Sequence, residues 1–266
     1  MRVVLPPMSR GQSEAWAGLL DVSACHPAGW TLVGGQMVHL HCIERGVAPM
    51  RPTDDVDTVL DVRAEPGVLH SFTAALVELG FASTGESWEG HQHRWQRGAA
   101  QIDVLIPRHL GERAAGRRGA SGGTTIETPG AQQALDRTKV VEVDLGGRSG
   151  WVRRPSLLGA LVAKAAAHSV VLDRARPRHL IDFAVLTTLI RPSDAVHEAG
   201  RRDRERLGAM LAALAADRRA WAGVDGADDG IARLRLALAP APAARTAEAF
   251  PFTRRPGADQ PHPWKR

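Results

Sequence analysis

The 266-residue sequence predicts an α+β (α/β) protein, a mixed sheet flanked by helices and followed by a helical C-terminal domain. Three observations carry this. Between residues 9 and 106 the patterns run helix, strand, helix, strand, helix, strand, strand. A glycine-rich turn at 146–150 joins two short runs that read as a hairpin. After Pro155 the apolar stretches are all helical in spacing. The expected units are a first domain over 1–154, a helical domain over 155–239 and an irregular, proline-rich tail over 240–266.

Taken in order, residues 9–22 have helical spacing, with Trp16, Leu19 and Leu20 on one side and Ser9 or Ser13 as cap. Trp30–Val33 is an apolar strand that runs into Gly34-Gly35. Residues 36–45 follow as a helix whose apolar side is Met37, Val38, His41 and Cys42, and Gly46 and Pro49 break it. Residues 55–63 alternate polar and apolar with period two, which reads as a strand with one face toward a core. Residues 66–80 form a helix with Pro66 near its start, Leu69, Phe72, Leu76 and Leu79 along one side, and Gly80 at its end. Strands over 91–97 and 100–106 meet at Gly98, and the hairpin pairs 140–145 with 151–154. Pro155-Ser156 opens a helix over 157–172; further helices are expected over 178–190, over 194–216 with Ser193 as cap, and over 230–238.

Composition narrows the class. Hydrophobic residues at 44% and charged residues at 24% are the balance of an ordinary soluble globular protein. The net charge of +5 suits anionic partners, although an arginine-rich composition alone gives the same balance. Cys25 and Cys42 form no CxxC, so neither a disulfide framework nor a zinc ribbon is expected. No signal-peptide pattern and no membrane-spanning apolar run is present, so a cytoplasmic location without membrane contact is expected. Residues 107–123 carry Arg108, Arg113, Arg117 and Arg118 and read as a mobile basic loop leaving the site. It is either a solvated linker or a flap against triphosphate or nucleic-acid backbone. The sets His39, His41, Cys42 and His91, His93 lack the spacing of a zinc site. Trp88 and Trp95 can stack bases, but packing is the commoner use.

The acids are the chemistry. On the strand from residue 55, Asp55 and Asp57 project to one face about 7 Å apart, and they repel unless a cation lies between them. Oxygen-only ligands favour Mg²⁺ or Mn²⁺. Asp103 interrupts the apolar run 101–106 as a third acid, and Gly34-Gly35 lets a backbone approach an anion. Thr53 can hydrogen-bond a phosphate or a ligand carboxylate, or cap a turn. Arg63 falls on the same strand face but too far along for the same metal.

Gly34-Gly35, a helix, Asp55-x-Asp57 and Asp103 together resemble the signature of the DNA polymerase beta-like nucleotidyltransferase superfamily. Farther on, Lys164, His168, Asp173-Arg174, Arg176, Arg178-His179 and Asp182 resemble the C-terminal motif of AbiEii-type nucleotidyltransferase toxins, with His179 in place of the motif's first aspartate. The resemblance implies a nucleotidyltransferase-like fold with metal held by Asp55, Asp57 and Asp103. It places NTP on Gly34, Gly35, Thr53, Lys164 and Arg178, and gives Asp103, Lys164 and Asp182 catalytic roles. It further implies transfer of a nucleoside monophosphate to a macromolecule such as tRNA by the toxin of a type IV toxin–antitoxin pair, with a cognate antitoxin protein. Two other readings stand beside it, a small-molecule transferase of the antibiotic adenylyltransferase kind and a non-catalytic nucleotide-binding module.

Overall fold

The computed structural model describes residues 2–85, 90–170, 173 and 176–239; Trp88, Arg174 and the tail from residue 240 lie outside them. The chain begins with β1 (Arg2–Val4), α1 (Arg10–Cys25), β2 (Trp30–Val33), α2 (Gly34–Glu44), β3 (Asp55–Leu60) and α3 (Val68–Glu78). Then come β4 (Ala82–Ser83), β5 (Arg94–Arg97), β6 (Ala100–Pro107), α4 (Glu112–Ala115), β7 (Ile126–Thr128) and α5 (Ala131–Asp136). The hairpin β8 (Thr138–Leu145) and β9 (Arg148–Pro155) leads to α6 (Leu157–His168), α7 (Arg176–Thr188), α8 (Arg201–Ala216) and α9 (Ala227–Leu238).

The larger sheet has the order β2-β3-β6-β5-β4, and β7 pairs parallel with the end of β6. It is mixed: β2 runs antiparallel to β3, and β6 runs parallel to it. The register sets Val33 beside Asp57 and Asp57 beside Asp103. Period-two alternation then separates the faces. Ile102 packs toward Gly18 of α1, while Val59 and Leu105 pack with Ala131, Ala134 and Ala163 of α5 and α6. The acids share this second face.

Local chemistry explains the element starts. Ser9 caps α1 through Gln12, whose side chain bonds back to the Ser9 N–H. Ser156 caps α6. Helix α2 is buried on nearly every side, with Met37, Leu40 and Cys42 fully covered and His41 at 1% exposure, so it is a core helix rather than an amphipathic one.

Several expectations need correction. The carboxylate strand stops at Leu60, because Asp61 turns the chain by accepting the Ala64 N–H on its side chain. Arg63 is therefore off the strand, donating to the His109 carbonyl. Ser193 does not cap α8; two 3-10 turns intervene, and the Asp203 carboxylate receives the Gly200 N–H instead. The expected hairpin is present and lies in a second sheet of order β1-β8-β9. The loop after β6 is not loose. Ala120 N–H donates to Thr73, and Gln92 takes bonds from Ser121 and Gly123. The main apolar cluster contains Val3, Val143, Leu157, Phe183 and Leu234.

Candidate active site

Asp55, Asp57 and Asp103 each offer one oxygen, and these three atoms lie within 4.8 Å of one another. Strand phase and the β3–β6 register are enough to place them so. Gly34 has φ +69, and a Cβ there would stand 1.7 Å from Asp57 Oδ2; at Gly35 a Cβ would stand 2.7 Å from Thr53 Oγ1. The glycines thus clear the space that a carboxylate and its supporting hydroxyl occupy. Val33 supplies no side-chain cap to α2, leaving the leading N–H groups of that helix open to an anion. We predict that Gly34→Ala weakens Mn²⁺ binding about 10-fold or more by displacing Asp57. A titration followed by electron paramagnetic resonance reads this directly; unchanged affinity would show that the helix start shifts without disturbing the acid.

Each acid has a different environment. Thr53 donates its hydroxyl to Asp55 Oδ1 at 2.6 Å, so of the roles open to it in the sequence it takes that of carboxylate support. Its carbonyl is gripped by Gln12 and Gln36, both at 2.6 Å, and Trp16 holds Gln36 in turn at 3.0 Å. Asp103 receives a fork from Arg94, Nε to Oδ1 at 3.2 Å and a terminal nitrogen to Oδ2 at 3.1 Å, and a further bond from Gln101. Asp57 accepts no hydrogen bond from the described residues. Burial first, then the charges of Asp55 and Asp103, push its pKa up to about 7 against the pull of Lys164 and Arg51. A carboxylate without a donor, crowded by two others in an all-oxygen set, fits Mg²⁺ or Mn²⁺.

Lys164 and Asp182 come from α6 and α7. They meet at 2.6 Å, exposed by only 4% and 3%. Arg51, from the loop before β3, forks onto the same carboxylate with both contacts at 2.8 Å. Burial alone would raise the Asp182 pKa; Lys164 and Arg51 overcome it and hold the acid below its usual value. Three bonds from two cations occupy both oxygens of Asp182, which suits a positioning group better than a proton carrier.

A cavity of about 340 Å³ opens against this cluster, lined by Gly34, Met37, Asp57, Leu105, Lys164 and His179 among others. Its walls are largely apolar, as small-molecule sites commonly are. His179 Nε2 bonds Asp173 at 2.8 Å. Burial and Lys164 depress its pKa, so the ring is neutral at pH 7. Of the four loop arginines only Arg108 lines the cavity; Arg118 bonds the carbonyl of Gly122 in its own loop. Arg178 is exposed and absent from the cavity wall.

The sequence reading missed Arg51, Arg94 and the placing of His179. Arg94 was countable: with a turn at Gly98, Arg97 faces Ala100 and Arg94 faces Asp103. Arg51 carries no local signal, since its partner is 131 residues away.

No family model matches the chain, and no curated protein matches it. Among solved structures, an antigenic nucleotidyltransferase-like protein from Paracoccidioides brasiliensis is similar at TM-score 0.50 and 17% identity, over 85% of this chain and 95% of that one. The antibiotic-resistance factor ANT(2'')-Ia is similar in its solution structure at TM-score 0.42 and 15% identity, over 80% and 97%. Its crystal structure with adenylyl-2''-tobramycin gives 0.34 and 14%, over 86% and 99%. The chain has a nucleotidyltransferase-like fold.

Proposed function

We propose that this protein is a metal-dependent nucleotidyltransferase that moves a nucleoside monophosphate from an NTP to tRNA, acting as the toxin of a type IV pair with a separate antitoxin protein. The observation that carries the chemistry is the set of three acids within 4.8 Å of one another, of which Asp57 lines a cavity that Lys164 also lines. The acceptor and the toxin role rest on the AbiEii-type resemblance around Lys164 and Asp182, and the net charge of +5 supports a polyanionic acceptor.

In this reaction the acceptor oxygen bonds the α-phosphorus in line as the bond to pyrophosphate breaks. Asp55, Asp57 and Asp103 would hold a divalent cation, which when bound would supply charge neutralisation at the phosphates and acidify the attacking hydroxyl. Gly34 and Gly35 bring the uncapped N–H groups of α2 toward the phosphates. Thr53 fixes the rotamer of Asp55, and Arg94 that of Asp103. Lys164 lends positive charge to the departing pyrophosphate, and Asp182 aims it. The apolar cavity walls exclude water from the nucleoside.

The test is incubation with each α-labelled NTP, Mg²⁺ and total cell RNA, beside an Asp103→Asn control. Label on the tRNA band, lost in the control, is the expected result. Label confined to small molecules would move the acceptor to the antibiotic type, and no transfer from any NTP would sink the enzymatic reading.

A further inference from the structure

Lys164 poses a problem for the reaction just described. Its ammonium already sits 2.6 Å from Asp182, and the pair is buried at 5% and 4% side-chain exposure. A lysine tied in this way contributes little net charge to an incoming phosphate. Pulling it away from a lone buried aspartate would strand that carboxylate without a counter-ion, a costly change.

Arg51 removes the difficulty. Its guanidinium takes one bond to each oxygen of Asp182, both at 2.8 Å. Lys164 shares only Oδ2. The trio therefore carries a net charge of one positive, and Asp182 stays paired whether or not Lys164 remains. Arg51 is itself held at the backbone, where its carbonyl bonds His39 Nε2 at 2.7 Å. Burial depresses the protonation of that histidine, so the ring meets the carbonyl as a neutral donor. Planar, doubly bonded and fixed at its carbonyl, Arg51 is the static member; Lys164, on a flexible stem facing the cavity, is the movable one.

Resting on the nucleotidyl-transfer reading above, we propose that Arg51 is a positioning residue that keeps Asp182 neutralised so that Lys164 can shift from Asp182 to the phosphates of the bound NTP. Arg51 touches neither substrate nor metal in this role. It acts through Asp182; apart from the pull its charge exerts on Asp57, its effect on nucleotide binding passes through Lys164.

That last property gives the test. Affinity for a non-hydrolysable NTP is measured by calorimetry in wild type, Arg51→Gln, Lys164→Met and the double variant, with thermal unfolding recorded for each. Arg51→Gln should weaken binding about 10-fold or more. In the Lys164→Met background the same change should have little further effect, because no movable cation remains to be released. Arg51→Lys, which keeps the charge but loses the fork, should not restore wild-type affinity; it replaces Arg51→Gln in the cycle should that variant fail to fold. A merely structural role predicts effects that multiply across the cycle, and that result, or an unchanged affinity in Arg51→Gln, would overturn the proposal. Wild type that binds no NTP would instead overturn the nucleotidyl-transfer reading.

Discussion

Asp57→Asn should lower transfer on the order of 10³-fold and, without metal, make the protein more stable above pH 7. Both effects follow from one feature, a carboxylate that meets no hydrogen-bond donor among the described residues and is crowded by Asp55 and Asp103. The folded pKa is about 7 against an ordinary 3.8. Folding therefore favours the protonated acid. The stability this provides is complete below the unfolded pKa and is lost as pH rises through the folded value. The loss amounts to about 2–4 kcal/mol by pH 8. An amide of the same shape escapes it. Chemical denaturation at pH 4 and pH 8, with chelator present, should show no advantage for Asp57→Asn at the lower pH and a clear one at the higher. A difference independent of pH would mean that Asp57 does not carry the strain assigned to it. Added Mn²⁺ should reverse the order at pH 8, since only wild type keeps the full carboxylate set.

Asp182→Ala should be the most destabilising single change at the site, about 3–5 kcal/mol. It leaves two cations, Arg51 and the 4%-exposed Lys164, without a counter-ion. Lys164→Met should cost much less, because Asp182 retains the Arg51 fork and the methionine stem fills the lysine's path. The comparison is made by urea denaturation of both variants at pH 7. Equal losses would show that Lys164 and Asp182 form an isolated pair and that Arg51 adds nothing to it.

The parts of this site that sequence revealed are those governed by short-range periodicity. Asp55 and Asp57 follow from alternation along one strand, and Gly34-Gly35 from the break between a strand and a helix. The glycines also have a second reason that no local pattern announces: the atoms nearest their missing Cβ positions are Asp57 Oδ2 and Thr53 Oγ1. Arg51, in Arg51-Pro52-Thr53, looks like any linker arginine until α7 folds against it. The composition of the loop after β6 predicts mobility. The loop's anchors, Thr73 and Gln92, lie 47 and 31 residues from the backbone groups they bind. β1 is three residues long and precedes Pro6-Pro7, too short for periodicity to show. It exists because β8 offers it a parallel edge.

That parallel pairing has a consequence for synthesis. Arg2 reaches Asp144 across 142 residues, and Arg51 reaches Asp182 across 131. A chain leaving the ribosome exposes its acids long before the helices that bear Lys164 and Asp182 have been made. Contacts this distant in sequence close late. On the transfer reading proposed above, chains arrested before residue 164, which contain the three acids but neither Lys164 nor Asp182, should be unable to transfer nucleotide.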